Sequence, residues 1–222
     1  MFGQNEIVGR KFFRVPEAAD GSKLLVTSVF YTLQGEGPLA GRPAVFVRLA
    51  KCQLACSFCD TFFDKGTWMT REDLIDAMFD TLDGSGVMGK KVVVVTGGEP
   101  MLQPNLVGFL HMAVSMFAAV QIESNGLLLL DLPDSVYLVV SPKCAEKDGR
   151  ATHYLKPSDA VLYRANCLKF VVTADSDSPY HKIPDWAVDW HRMGKPVYIS
   201  PMAEYKNYPF GAPTAAHGDL AA

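Results

Sequence analysis

The chain has 222 residues and a formal net charge of −3, with 49% of its residues hydrophobic and 20% charged. That length suits one domain with a sizeable core, and the slight acidic excess gives no electrostatic footprint for nucleic acid. Five cysteines, three of them within eight residues, do not form the paired framework of a secreted disulfide domain.

Residues 1–22 read as an N-terminal arm, and 1–14 lack the apolar run and small-residue cleavage site of a secretory signal. Residues 25–33, β-branched and aromatic, predict a first strand. It ends at the tight loop Gln34-Gly35-Glu36-Gly37-Pro38. A second strand, 44–49, carries one charge, Arg48, and delivers the chain into Cys52-Gln53-Leu54-Ala55-Cys56-Ser57-Phe58-Cys59-Asp60-Thr61. Thr70-Arg71-Glu72-Asp73 has the form of a capping box, and Leu74, Ile75, Met78, Phe79 and Leu82 extend it as a helix over 71–82 that Gly84 and Gly86 end. The run Val92-Val93-Val94-Val95 predicts a strand buried on both faces, stopping at Thr96-Gly97-Gly98-Glu99-Pro100.

The uncharged stretch 100–122 is long enough to span a bilayer. Gln103, Pro104, Asn105, His111, Ser115 and Gln121 interrupt it, so it reads as a helix over 105–117 followed by a strand over 119–122. No membrane partner is expected, and the location expected is cytoplasmic. That strand leads to Glu123-Ser124-Asn125-Gly126, and the next, 136–140, to Ser141-Pro142-Lys143. A polar stretch precedes a helix over 158–165. Strands at 168–172 and 197–199 flank a helix over 184–193, which Gly194 stops.

Strands alternating with helices suit right-handed βα units, and the polar motifs fall just after strands, where such folds bind ligands. A full eight-fold barrel runs to about 250 residues. The expected fold is therefore α/β: a partial, reduced (β/α) TIM-like barrel of about six to seven mostly parallel strands. It forms one domain over 23–205, with a tail over 206–222.

The cysteine spacing CxxxCxxC leaves three readings: unrelated buried thiols, a zinc site, or an iron–sulfur cluster. Structural zinc takes four ligands, and the nearest histidine, His111, is remote in sequence. Three thiolates on a cluster leave one iron open for a chelating cofactor. Asp60 and Thr61 read either as hard oxygen ligands suited to Mg²⁺ or as an ordinary turn. Arg48 suits a bidentate pair with a carboxylate. Cys144 and Cys167 read as structural thiols, and His153, His181 and His191 as structural.

CxxxCxxC with Phe58 before the third cysteine, followed by Gly97-Gly98-Glu99-Pro100 after a buried strand, resembles the radical S-adenosylmethionine superfamily. The stretches Thr32-Leu33-Gln34-Gly35-Glu36-Gly37, Gly41-Arg42-Pro43-Ala44-Val45-Phe46-Val47-Arg48-Leu49, Cys59-Asp60-Thr61, Gln121-Ile122-Glu123-Ser124-Asn125-Gly126 and Val140-Ser141-Pro142-Lys143 narrow the resemblance to the 7-carboxy-7-deazaguanine synthases. It covers roughly residues 25 to 203.

The resemblance implies a [4Fe–4S] cluster on Cys52, Cys56 and Cys59. It implies S-adenosylmethionine held by Phe58, Gly97, Gly98, Glu99, Asn125, Ser141, Pro142 and Lys143. Mg²⁺ would sit on Thr61 and Asp60, and the substrate on Leu33, Gln34, Gly35, Glu36, Arg48, Thr96 and Glu123. The implied reaction is a radical ring contraction of 6-carboxy-5,6,7,8-tetrahydropterin with loss of ammonia, serving 7-deazapurine (queuosine or archaeosine precursor) synthesis. A flavodoxin-like or ferredoxin-like protein would supply the electron, and a homodimer is expected. Two alternatives share part of the pattern: an activase that places a glycyl radical on a partner enzyme, and a non-catalytic zinc or iron–sulfur module. The chain departs from the family at Ser200, where Gln is usual, and after 202, where the family's last helix and strand are expected to be missing or replaced. His217 lies in that tail.

Overall fold

The structure, a computed structural model, describes residues 22–82, 90–103 and 105–202. The arm expected up to residue 21, the tail with His217, the glycine stop at Gly84 and Gly86, and Pro104 lie outside the described residues.

Among the described residues, ten strands and four α-helices follow in the order β1 (Leu24–Leu33), β2 (Pro43–Leu49), β3 (Thr67–Met69), α1 (Arg71–Asp80), β4 (Val92–Gly97), α2 (Leu106–Met116), β5 (Ala119–Ser124), β6 (Val136–Val140), β7 (Cys144–Lys147), β8 (Arg150–Tyr154), α3 (Asp159–Arg164), β9 (Cys167–Val172), α4 (Asp185–Arg192) and β10 (Val197–Pro201). Eight of the strands form one sheet in the order β10-β9-β6-β5-β4-β2-β1-β3. From β2 to β10 the neighbours are parallel. β1 runs antiparallel to β2, and β3 antiparallel to β1. This is the mostly parallel partial barrel expected, with β3 and the β7–β8 hairpin as additions.

Period-two alternation sorts each strand. Val45, Val47, Leu49, Val93, Val95, Val120, Ile122, Leu138, Val140, Leu168 and Phe170 point into one core, where Leu74 and Met78 of α1, Phe109 and Leu110 of α2, Val161 of α3 and Trp190 of α4 cover them. These four helices thus pack on that one face. The alternate residues Ala44, Phe46, Val92, Val94 and Ala119 form a small apolar cluster with Leu39 on the other, inner face.

The helix ends obey the chemistry read from the sequence. Thr70 Oγ1 accepts from Asp73 N–H while Asp73 accepts from Thr70 N–H, which satisfies two free donors of the first turn. The uncharged stretch 100–122 resolves into a 3₁₀ turn (Pro100–Leu102), the eleven-residue α2 and β5. Among the described residues no helix is long and apolar enough to cross a membrane.

Candidate active site

The parallel strands all end on one rim, and β2 and β4 are joined there backbone to backbone. Leu49 O accepts from Gly98 N–H at 2.9 Å, and Lys51 O from Glu99 N–H at 2.8 Å. Lys51 takes a left-handed φ of 76° to turn the chain into the cysteine loop. Gly97 has φ 124°, and a Cβ there would lie 2.1 Å from Leu49 O; at Gly98 it would lie 1.9 Å from Lys51 O. The glycine pair is thus required by backbone contact at the root of the cysteine loop. Gly98→Ala should therefore cost on the order of 3 kcal/mol of stability and lower iron loading. A denaturant midpoint matching the wild type would show that the strand ends can part freely.

Within the loop Cys52 is buried and Cys56 and Cys59 are partly exposed. Leu54 N–H donates to Cys52 Sγ at 3.4 Å, and Cys59 N–H to Cys56 O at 3.0 Å. Glu146 of β7 holds the loop from outside, accepting from Ser57 N–H at 2.8 Å and Ser57 Oγ at 3.2 Å. Phe58 packs edge-on against Tyr180, with ring centroids 5.0 Å apart. Gln53 Nε2 donates to Asn125 Oδ1 at 3.3 Å, tying the loop to the end of β5.

Burial pushes the Cys52 and Cys56 thiols up to about 12 and raises Cys59 as well. The charge of Lys143 works against this at Cys56, and Lys143 and Arg48 do so at Cys59. Iron binding must therefore displace protons, beside two cations that offset the charge of a thiolate-bound cluster. Among the described residues no three His, Cys, Asp or Glu side chains converge on one ion. A cluster does not require that, because its thiolates bind separate irons. The donor set fits a three-cysteine cluster.

Glu99 is 0% exposed. Its Oε1 accepts from Met101 N–H at 3.0 Å and Ser124 Oγ at 2.9 Å, and its Oε2 from Asn125 N–H at 2.7 Å. Burial raises its pKa, against hydrogen bonds that favour the charged form. The carboxylate thus clasps the end of β5 to the end of β4. Next along the rim, Lys143 Nζ donates to Ser141 O at 2.7 Å and Ser141 Oγ at 2.6 Å, beside the buried Pro142. Burial lowers the Lys143 pKa.

Below the rim, the inner face carries a polar band. Arg48 lies opposite Ser28 and Thr96 in register, and its guanidinium stands 5.1 Å from the Phe30 ring centroid. Gln34 Nε2 and Gln121 Nε2 both donate to Glu123 Oε1, at 3.0 and 3.2 Å. Lys169 Nζ bridges Glu36 Oε2 at 2.6 Å and Glu123 Oε2 at 2.8 Å. Asp60 Oδ1 accepts from Thr61 Oγ1 at 3.1 Å just past the third cysteine. Leu33 is 60% exposed at the end of β1, and a Cβ on Gly35 would meet open space.

The structure thus brings Gln34, Glu36 and Glu123 together through hydrogen bonds and ion pairs. Lys169, Gln121, Gln53 and Glu146 take part in these networks and carried no role in the sequence reading. A lysine inside the apolar run Leu168-Lys169-Phe170-Val171 was the available signal for the first of them. Cys144 and Cys167 are buried and lie outside the cysteine loop; Cys144 N–H donates to Tyr180 OH. His153, His181 and His191 are exposed, each ring against a local partner, Thr152 Oγ1, Thr173 O and Lys195 O.

A three-cysteine loop at the end of β2, on a partial barrel with a glycine-glutamate motif after β4, defines a radical S-adenosylmethionine enzyme. The family model described as the Radical SAM superfamily matches residues 47–138. A protein of Rickettsia prowazekii named 7-carboxy-7-deazaguanine synthase is 35% identical over 187 residues, covering 83% of this chain and 76% of that one. A protein of the same name from Rhodospirillum rubrum is 37% identical over 187 residues, covering 83% and 71%. The crystal structure of QueE from Escherichia coli superposes with a TM-score of 0.62 at 26% identity, over 82% of this chain and 85% of that one. The chain belongs to the 7-carboxy-7-deazaguanine synthase family. As a radical S-adenosylmethionine enzyme it takes a [4Fe–4S] cluster and S-adenosylmethionine.

Proposed function

We propose that this chain converts 6-carboxy-5,6,7,8-tetrahydropterin to 7-carboxy-7-deazaguanine with release of ammonia, as a radical S-adenosylmethionine lyase. The observation that carries the reading is the inner-face band of Arg48, Gln34, Glu36 and Glu123, on the same face as the rim that bears the cysteine loop. A carboxylated pterin has an anionic group at one end and a donor-rich pyrimidine edge at the other. Arg48 and the two carboxylates match them in sign.

Cys52, Cys56 and Cys59 hold the cluster, and Phe58, Gly97, Gly98, Glu99, Asn125, Ser141, Pro142 and Lys143 surround S-adenosylmethionine. With one electron from a flavodoxin-like or ferredoxin-like donor, the bound cluster and S-adenosylmethionine would supply radical hydrogen-abstraction chemistry. The chain's own residues do the rest. Phe30 backs the Arg48 guanidinium, leaving its fork to orient the substrate carboxylate. Leu33, Gln34, Gly35 and Thr96 flank the bicycle. Asp60 and Thr61 present adjacent hard oxygens, which suits a Mg²⁺ that keeps several waters and takes the rest from substrate. Fixing the reacting carbon in place and excluding other hydrogen donors is the protein's contribution to rate. The family resemblance supports a cytoplasmic homodimer.

The test is anaerobic reconstitution with iron and sulfide, then turnover with S-adenosylmethionine, Mg²⁺, a reductant and the carboxytetrahydropterin. Deazaguanine and ammonia in equal amounts are expected, falling sharply when Mg²⁺ is chelated. Cofactor cleavage with no deazaguanine would redirect the reading to another substrate, the activase included.

A further inference from the structure

β9 sets a lysine between Leu168 and Phe170, both 0% exposed in the helix-side core. By strand alternation Lys169 faces inward, where it is 6% exposed. Burying an ammonium costs several kcal/mol unless partners offset it. Here two carboxylates do so, from places far apart in the chain: Glu36 in the loop after β1, and Glu123 at the end of β5. The network closes on itself. Glu123 accepts from Gln34, and Gln34 Oε1 accepts from Glu36 N–H at 3.1 Å. Burial raises the Glu36 pKa, but Lys169, aided by Ser200 of β10, holds that carboxyl below its ordinary range. Side-chain exposure rises from 7% at Lys169 to 17% at Glu123 and 42% at Glu36. The cation is therefore the inner member, and the carboxylates are the members a ligand can reach.

Two carboxylates on one cation leave a net negative charge at the surface of the triad. Each carboxylate has lone pairs beyond those the protein uses, and their directions are fixed by the buried ammonium. We propose that Lys169 is a positioning residue: it holds Glu36 and Glu123 as a paired acceptor set that reads a ligand edge carrying adjacent N–H donors, of the 2-amino-4-oxopyrimidine type. It also latches the Gln34–Arg42 turn to β9, since Glu36 has no other cation among its described ion pairs. This rests on the pterin reading above and adds the group that organises it.

The test compares Lys169→Met, Lys169→Arg and Glu36→Gln with wild type, all reconstituted, by fluorescence titration with 6-carboxypterin and by steady-state turnover. Lys169→Met should raise the 6-carboxypterin Kd and the substrate KM by about tenfold or more, as expected for releasing a charge-assisted pair. Slow 5′-deoxyadenosine formation without substrate should stay unchanged. Lys169→Arg should recover most of the loss. Glu36→Gln should raise KM in the same direction, and decides the matter if Lys169→Met does not fold. Wild-type KM in either Lys169→Met or Glu36→Gln overturns the proposal. So does an equal loss of substrate-free cofactor cleavage, which marks a general packing role. A wild-type enzyme that neither binds 6-carboxypterin nor makes deazaguanine overturns the pterin reading itself.

Discussion

Cys56→Ala, reconstituted without oxygen, will hold no [4Fe–4S] cluster and will form neither 5′-deoxyadenosine nor deazaguanine. The expected loss is at least ~1,000-fold, equivalent to about 4 kcal/mol. Cys56 is partly exposed, and burial raises its pKa although the charge of Lys143 opposes this. Its removal leaves only Cys52 and Cys59 as thiols in the loop. The loop itself should survive the change, because its anchors lie elsewhere: Ser57 on Glu146, Gln53 on Asn125, and Lys51 N–H on Phe63 O. Circular dichroism of the variant should therefore match the wild type while its iron content collapses. Cys144→Ala and Cys167→Ala give the contrast. Both residues are buried in the sheet and hairpin, so their loss costs packing and leaves the iron content at that of the wild type. Iron retained in Cys56→Ala, or lost in Cys167→Ala, would refute the assignment of the three ligands.

Elements with strong local chemistry are legible in the sequence. The valine run of β4 has no polar position to expose, so a buried parallel strand is forced. The capping box fixes the start of α1 to the residue. The cysteine loop and the glycine pair can be located, but not the reason for the glycines: the approach of Leu49 O and Lys51 O comes from a partner strand far along the chain. β3 and the β7–β8 hairpin escape the sequence reading because three- to five-residue strands of mixed burial show no clear alternation. The hairpin does carry a signal. Asp148 and Gly149 both take positive φ at its tip, and Asp-Gly is a strong primed-turn pair. Lys169 escapes it too, because a lone lysine in an apolar strand resembles a surface interruption. Only the fold brings Glu36 and Glu123 to it from 133 and 46 residues away.

Glu99→Gln should be nearly as damaging as loss of a cysteine, by a different route. Three donors meet this carboxylate, and the two backbone ones cannot turn away. Met101 and Asn125 offer backbone N–H groups. Ser124 Oγ accepts from Gly126 N–H at 3.0 Å and donates its hydrogen to Glu99. A carboxylate accepts on both oxygens, whereas an amide accepts on one side and donates from the other. Either orientation of the substituted amide sets an NH₂ against a donor. Leaving a buried donor unmet, and losing charge-assisted bonds to the others, costs about 3 kcal/mol. The strain falls on Ser124 and Asn125, and Asn125 Oδ1 is the acceptor that steadies Gln53 of the cysteine loop. The expected result is a lowered denaturant midpoint, weakened S-adenosylmethionine binding, and a broadened spectrum of the reduced cluster. Asn125→Ala separates the two effects. It spares the Glu99 clasp, which uses the backbone N–H, and removes the link to Gln53 together with a local bond from Leu127 N–H. It should loosen the cluster signal while changing stability much less. If Glu99→Gln keeps wild-type stability and loses only cofactor affinity, the carboxylate serves the ligand alone, and the clasp between β4 and β5 carries no weight of its own.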